Sequence, residues 1–210
     1  AVDSYYKKRA LGSIGHFGCF SFHETKNIQC GEGGMLVVND EKYNKRAEII
    51  WEKGTNRAEF FRGEVNKYAW VDIGSSFLPS EISAAFLYAQ IEHLEDIQNR
   101  RKQIWKTYHR LLRPLEEKGL IRLPFIPEYA TNNAHMFYLI FKSEEQRAFV
   151  ISKLKEERIH SVFHYLSLHK SPYYADKYEG DDLPNSDHYT GCLLRLPFYY
   201  ELKDEDVEMT

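Results

Sequence analysis

The chain has 210 residues, of which 43 % are hydrophobic and 28 % charged, a composition typical of a folded globular protein that can bury a core. Its 28 basic and 31 acidic residues give a net charge of −3, which lacks the cationic excess of general nucleic-acid binders. The longest apolar runs, such as residues 35–38, are far shorter than the ~20 residues of a membrane span.

The predicted elements of the N-terminal half surround a glycine-rich stretch. A short apolar strand is predicted over 17–22, and the glycines of 31–34 lead into a second strand over 35–38. A helix is predicted over 41–53. Residues 54–78 are predicted to be irregular, and their many aromatic side chains lead us to expect that this loop packs against another surface, which the sequence does not specify.

One long helix is predicted from Pro79 to about Leu112, because its apolar positions recur at steps of three and four or their sums. Proline suits the first turn of a helix, where its missing N–H costs nothing. Pro114 and Gly119 are predicted to end this helix.

A second α/β unit is predicted after the long helix. It consists of a strand over 135–142, a helix over 144–156 and a strand over 159–165. Ser143, followed three residues later by Gln146, predicts a capping box at the start of the helix.

The densest polar cluster is the segment 21–27, which contains Ser21 and Lys26 and precedes the glycines of 31–34. A lysine held after a strand and beside glycines can form an imine with a planar cofactor, if desolvation or a nearby cation makes its amine nucleophilic. The Ser21 hydroxyl can then hydrogen-bond a phosphate. The alternative is a solvated turn lysine, which the spacing alone favours, and no Walker A sequence follows the glycines.

Two other interpretations of this stretch involve its cysteines and histidines. His16, Cys19, His23 and Cys30 are ligand types that zinc prefers, but their spacing does not match a zinc finger. Cys30 is also a candidate catalytic thiol, although no motif accompanies it. We therefore expect no metal site.

The compartment follows from the cysteine count. The three cysteines are too few for a disulfide framework, and their odd number would leave one unpaired. This favours a reducing cytoplasm. The polar segment 1–10 contains no secretory signal. We therefore expect a cytoplasmic protein.

Further candidate ligand contacts lie on both sides of the long helix. Arg57 belongs to a run of basic residues interleaved with aromatics, which is either a solvated face or a holder of a phosphorylated substrate. In a strand, His160 and His164 would share a face, as core residues or as ligand contacts. Tyr165 and His169 continue the same Tyr/His-rich segment.

Taken together, these motifs resemble those of the DegT/DnrJ-type nucleotide-sugar aminotransferases. The lysine motif over 21–27 is characteristic of the family, and the block 53–63 indicates a subgroup that acts on dTDP-4-keto-6-deoxyglucose. The resemblance covers nearly all of the chain, through residues 12–15, 21–27, 31–34, 53–57, 60–63, 67–68, 72–76, 133–138, 162–165 and 194–197.

The resemblance implies an α/β protein with a partial fold-type-I fold, similar to aspartate aminotransferase. Residues 1–90 would be the C-terminal part of the large cofactor-binding domain, 91–114 a long connecting helix, and 115–210 a small C-terminal α/β domain. Chains of the family are much longer, so we expect a fragment that neither holds its cofactor tightly nor turns over unaided. A homodimer is expected, because the family builds each site from two subunits.

The resemblance also implies dependence on pyridoxal 5′-phosphate. Lys26 would form the Schiff base and shuttle a proton, Ser21 would contact the cofactor's phosphate, and Arg57, His164 and Tyr165 would contact the substrate.

The implied reaction moves an amino group from glutamate to the C4 ketone of dTDP-4-keto-6-deoxyglucose. The product would be dTDP-4-amino-4,6-dideoxygalactose, a nucleotide sugar for surface polysaccharides such as enterobacterial common antigen and lipopolysaccharide. One alternative is a non-catalytic regulatory or binding module with the same fold. Another is a dehydratase relative, which the retained Lys26 disfavours because a histidine replaces the lysine there.

Overall fold

The computed structural model describes residues 1–210 and divides into two compact units. The first unit comprises Ala1–Asp96 and Glu128–Asn133, and the second comprises Ile97–Pro127 and Ala134–Thr210. The strands are β1 (Tyr5–Tyr6), β2 (Arg9–Ala10), β3 (Phe17–Ser21), β4 (Gly34–Val38), β5 (Tyr138–Ile140) and β6 (Leu193–Arg195). The helices are α1 (Asn44–Trp51), α2 (Arg57–Phe61), α3 (Glu81–Glu92), α4 (Leu94–Glu117), α5 (Glu144–Glu156), α6 (Pro184–Cys192) and α7 (Asp204–Met209).

The first unit is built on two antiparallel hairpins. In the larger one, β3 pairs with β4 along its whole length, from Phe17 opposite Val38 to Ser21 opposite Gly34. This pairing confirms both predicted strands to within one residue at their ends. The smaller hairpin, β1 with β2, was not predicted, because two-residue strands leave no alternating pattern in the sequence.

The predicted helix over 41–53 is shorter in the structure. A 3₁₀ turn over Glu41–Tyr43 precedes α1, and the Asp40 side chain caps that turn by accepting from the Lys42 amide at 3.2 Å. After α1, Lys53 and Gly54 both have a positive φ, which ends the helical path. A Cβ at Gly54 would overlap the carbonyl oxygen of Asp72, so only glycine fits there.

The segment predicted to be irregular contains α2, and its aromatic side chains are more exposed than expected. Phe60 contacts the rings of Phe61 and Tyr68, with centroids 5.7 and 5.6 Å apart. Trp70 and Phe77, in contrast, are 80 % and 60 % exposed. Most of the surface of these two side chains is not covered within this chain, so the expectation that the loop packs against another surface stays a prediction for them.

The single helix predicted from Pro79 is two helices, α3 and α4, separated at His93. Ser80 caps α3 by accepting from the Ser83 amide at 3.1 Å, which places Pro79 before the cap rather than in the first turn. α4 restarts with acidic residues in its first turn, where they interact favourably with the helix dipole. Apolar steps of three and four run through both helices, so the sequence pattern hides the break.

The predicted stop at Pro114 is also wrong. Pro114 lies inside α4, one turn before its end, where only one intrahelical hydrogen bond is lost. The helix ends instead at Glu117, two residues before Gly119, which has φ of +67° and donates its amide to the Glu116 carbonyl at 2.7 Å.

The second unit has the larger apolar core. β5 pairs with β6, and one face of this sheet packs against α4 through Ile104 and Tyr108. The Tyr108 hydroxyl donates to the Pro197 carbonyl at 3.0 Å, so its only polar atom is satisfied. The buried cluster comprises Ile104, Tyr108, Ile121, Leu123, Phe137, Leu139, Phe141, Leu194, Leu196, Leu202 and Val207.

The predicted strand over 159–165 does not form. Only Val162 pairs, by an antiparallel bridge in which it exchanges two backbone hydrogen bonds with Arg195, at 3.1 and 2.7 Å. Two residues earlier, His160 would face Pro197, which has no amide hydrogen to donate. The expectation that His160 and His164 share a strand face is therefore wrong.

The structure confirms the predicted bounds of α5 and its predicted N-cap, Ser143. The Ser143 hydroxyl accepts from the Gln146 amide at 3.4 Å, whereas the Gln146 side chain accepts from the Lys142 amide at 3.3 Å rather than from the Ser143 amide. The second hydrogen bond of the capping box is thus made to the amide one residue before the N-cap, that of Lys142.

Replacing Ser143 with alanine should lower the free energy of unfolding by about 1 kcal/mol, because one helix amide loses its partner. Ser152→Ala, at an exposed position inside the same helix, is the matched control and should leave the free energy unchanged or slightly raised. Urea unfolding followed by circular dichroism measures both, and equal effects would contradict the capping role.

None of the helices combines the length and the apolar character that crossing a membrane requires.

Candidate active site

The loop over 22–33 joins β3 to β4 and carries Lys26. The Lys26 amide donates to the His23 carbonyl at 2.9 Å, which closes a tight turn around the lysine. The Cys30 amide donates to the Phe22 carbonyl at 2.8 Å, and the side chain of Phe22 is buried. The loop is therefore folded back onto its own hairpin.

The three residues after the lysine fasten this loop to the rest of the first unit. Asn27 donates through Nδ2 to the Asn133 carbonyl at 2.7 Å, and Ile28 is only 1 % exposed. The backbone of Gln29 forms two hydrogen bonds with the Gln90 side chain. Its amide donates to Oε1 at 3.1 Å, and its carbonyl accepts from Nε2 at 2.8 Å.

His23 organises the turn from the other side. Its Nδ1 accepts from the Thr25 amide at 3.2 Å and lies 3.0 Å from the Thr25 hydroxyl. Because an amide can only donate, Nδ1 carries the lone pair and the ring proton resides on Nε2. The Nε2 atom lies 3.5 Å from a carboxylate oxygen of Glu32, which suits that tautomer.

The side chains of Ser21 and Lys26 are both exposed at this loop. The Ser21 hydroxyl accepts a long hydrogen bond from the His23 amide at 3.4 Å, and accepting leaves its own hydrogen available to donate.

An open apolar cleft of about 280 Å³ lies in the same unit, between the segment at Ala1 and the hairpin. Its lining includes Phe20 and Phe22 from the strand side, Ile28 from the Lys26 loop, and Ile91 from α3. The lysine loop therefore contributes one wall of a concave surface, as ligand sites generally require.

The zinc and thiol interpretations gain no support from the geometry. The structure contains no group of three or more His, Cys, Asp or Glu side chains that could hold a metal ion. Cys19 is exposed on β3, and Cys30 directs its Sγ to the Glu32 carbonyl at 3.5 Å. Neither cysteine has a histidine among its hydrogen-bond partners.

Arg57 opens α2 and already has an internal partner. Its Nη1 lies 2.6 Å from Oε1 of Glu52, a carboxylate that is 8 % exposed, and its guanidinium lies 4.9 Å from the ring centroid of Phe61. The arginine thus compensates a buried charge of the protein, while its remaining N–H groups can still bind a ligand.

His164 and Tyr165 lie in the second unit and contact each other, with ring centroids 4.0 Å apart. The His164 Nδ1 lies 3.0 Å from Nη1 of Arg195. Because a guanidinium has no acceptor, Nδ1 must accept, which fixes the ring proton on Nε2. Tyr165 is 63 % exposed.

The structure thus groups the predicted residues by unit. Ser21, Lys26 and Arg57 belong to the first unit, where Ser21 and Lys26 share one loop and Arg57 opens a separate helix. His164 and Tyr165 form a contact pair in the second.

Sequence reasoning missed several residues that shape these sites. Gln90 and Asn133 lie 61 and 106 residues from their loop partners, and no local pattern marks either of them. Arg101 did leave a signal, because it occupies the apolar stripe of α4 three residues before Ile104. It is 7 % exposed and donates to the carbonyls of Ala134 and His135, at 3.0 and 2.7 Å.

Comparison with known protein families gives a match over almost the whole chain. The model of the DegT/DnrJ/EryC1/StrS aminotransferase family matches residues 1–209. The spore coat polysaccharide biosynthesis protein SpsC of Bacillus subtilis (strain 168) is 32 % identical over 217 residues, which cover 99 % of this chain and 55 % of SpsC. The chain spans about half the length of the curated relatives it matches.

Solved structures confirm the expected partial fold-type-I fold. The aminotransferase TlmJ from Streptoalloteichus hindustanus is 25 % identical with a TM-score of 0.84, over 99 % of this chain and 53 % of TlmJ. The putative sugar aminotransferase Spr1654 from Streptococcus pneumoniae, in its PMP form, has a TM-score of 0.86 at 24 % identity, over 100 % of this chain and 52 % of Spr1654. The latter likeness concerns the fold alone.

Proposed function

The chain belongs to the DegT/DnrJ/EryC1/StrS aminotransferase family, and from this premise we propose that its full-length protein is a pyridoxal-phosphate-dependent sugar aminotransferase with Lys26 as its essential lysine. The observation that carries the proposal is the position of Lys26. Its exposed amine stands on a turn closed by His23 and fastened by the three residues that follow it.

The residues at this loop suit the cofactor's chemistry. Lys26 supplies a primary amine that takes part in none of the ion pairs of the loop, and Ser21 supplies a hydroxyl hydrogen for a phosphate oxygen. Lys26 would hold the cofactor covalently through Nζ, and Ser21 would bind its phosphate. When bound, pyridoxal phosphate supplies the electron sink for the reaction.

After its release from the cofactor, the same Nζ of Lys26 would move a proton between the reacting carbon of the substrate and the C4′ carbon of the cofactor, since the loop fixes the backbone position of the lysine. The tight turn limits the entropy lost when the amine is aligned. His23 does not serve as this base, because its Nδ1 already accepts from the Thr25 amide.

For the substrate, we propose a nucleotide sugar, with glutamate as amino donor. The C4 ketone of dTDP-4-keto-6-deoxyglucose is the proposed acceptor and dTDP-4-amino-4,6-dideoxygalactose the product, destined for a surface polysaccharide such as enterobacterial common antigen or lipopolysaccharide. The name of SpsC, a polysaccharide biosynthesis protein, supports this class of product. Arg57, His164 and Tyr165 are the proposed substrate contacts.

The proposal extends to the assembly and to the domains. The full-length protein would act as a cytoplasmic homodimer. Residues 1–90 would complete its large domain, α4 would form the connecting helix in place of the predicted range 91–114, and the residues after α4 would form the small domain.

Borohydride trapping tests the function directly. The full-length protein is incubated with pyridoxal phosphate and reduced, and its peptides are mapped by mass spectrometry. We expect the pyridoxyl group on Lys26, in large excess over exposed lysines such as Lys7 and Lys42. A folded protein with no adduct on Lys26 would overturn the proposal and favour a non-catalytic module of the same fold.

A further inference from the structure

Gln90 makes an unusual contact with the lysine loop. Its side-chain amide pairs with both the N–H and the C=O of Gln29, at 3.1 and 2.8 Å, as a neighbouring strand would do. The two residues are 61 positions apart, so this pairing joins α3 to the loop.

Within α3, the side chain of Gln90 forms the hydrogen bonds to the backbone of this loop. No residue of α3 is fully buried, and Ile82 and Phe86 of the same helix are 84 % and 52 % exposed. A half-buried glutamine in the last turn of such a helix is therefore held by its two hydrogen bonds rather than by apolar packing.

Only residues 27 and 28 separate Gln29 from Lys26, so a restraint on Gln29 also restrains the backbone of Lys26. The Gln29 side chain accepts from the Gly31 amide at 2.7 Å, so Gln29 is fixed through its backbone and its side chain. Ile28 is buried and the Lys26 amide is bound to His23. Fixing Gln29 therefore fixes the direction in which the chain leaves Lys26.

We propose that Gln90 is a positioning residue for the reaction at Lys26. This inference rests on the proposed function of Lys26 and adds a residue outside the lysine motif. Gln90 touches no reacting atom in this assignment. It holds the loop backbone from which the Lys26 side chain extends, so that the amine needs less reorientation before it reacts.

The test compares the full-length wild type with Gln90→Met, which keeps the side-chain volume and removes both hydrogen bonds. Gln103→Met is the matched control, because Gln103 is exposed and its amide bonds Asp204 in the second unit at 3.2 Å. We expect Gln90→Met to lower kcat, and the rate of pyridoxyl trapping at Lys26, about tenfold. KM for the nucleotide sugar should stay unchanged, and Gln103→Met should match the wild type.

Hydrogen–deuterium exchange supplies a readout that does not depend on activity. In the wild type, peptides covering residues 26–31 should exchange slowly, and in Gln90→Met they should exchange faster, with little change elsewhere in the first unit. Gln90→Glu keeps the acceptor for the Gln29 amide but loses the donor, so its kcat should lie between those of the other two proteins.

The possible results distinguish a failure of the positioning role of Gln90 from a failure of the proposed function of Lys26. If Lys26 traps the cofactor in the wild type and Gln90→Met behaves like Gln103→Met, the positioning role is overturned and the proposed function stands. If wild-type peptides 26–31 exchange as fast as an open loop, the positioning role is likewise overturned, even where Gln90→Met fails to fold. If the wild type never labels at Lys26, the proposed function falls and the positioning role falls with it.

Discussion

Replacing Lys26 with arginine should lower the transamination rate of the full-length protein by at least about 10³-fold, the scale of a lost nucleophile that also moves a proton. Arginine keeps the positive charge and most of the side-chain length, so the loop should fold unchanged. Its guanidinium stays protonated and cannot attack a carbonyl carbon. The measurement is the rate of amino transfer from glutamate to the keto sugar.

The control for this prediction is Lys42→Arg. Lys42 is also an exposed lysine, and its amine pairs with Asp40 at 2.7 Å beside β4. We expect its activity and melting temperature to match the wild type. Residual activity of Lys26→Arg within tenfold of this control would rule out Lys26 as the essential lysine.

Replacing Arg101 with methionine should lower the free energy of unfolding by about 3 kcal/mol, because the buried Ala134 carbonyl and the half-buried His135 carbonyl lose their donors at once. Arg101 is 7 % exposed and binds the carbonyls of Ala134 and His135. Ala134 is fully buried with φ of +49°, a conformation that needs support from its surroundings. Methionine fills a similar volume, so the loss reflects the hydrogen bonds more than a cavity.

The charge of Arg101 does not reverse this expectation. Burial lowers the pKa of its guanidinium to about 10, so the group remains charged at pH 7 and pays a desolvation penalty there. Removing that penalty offsets part of the loss. The guanidinium also lies 4.8 Å from the ring centroid of Phe198, a contact that methionine only partly replaces.

Arg113→Met is the matched control on the same helix. Its side chain is 68 % exposed and pairs with Glu117 at 3.1 Å, an exposed pair of the kind that contributes at most about 0.5 kcal/mol. Urea unfolding at pH 7 compares the two variants. Equal free energies for Arg101→Met and Arg113→Met would show that the buried guanidinium does not stabilise the second unit.

The sequence predicted those elements whose signals are local. The strands β3 and β4 follow from two short apolar runs around glycines, although their pairing was not predicted, and α5 follows from its cap at Ser143. The lysine motif over 21–27 was also visible, because family motifs are read in consecutive residues. Each of these features leaves its signal in a short, continuous stretch of the sequence.

Other features were decided by partners far away in the sequence. The break at His93 is invisible because the apolar period continues across it. The strand over 159–165 fails because, on either side of the Val162–Arg195 bridge, Pro197 has no amide to donate and Leu193 donates its amide to the Tyr189 carbonyl. The pairing of Gln90 with Gln29 and the burial of Arg101 belong to the same class. A side chain's hydrogen-bond partner across tens of residues leaves no periodic trace, so only the tertiary structure fixes which polar groups hold the lysine loop and the core.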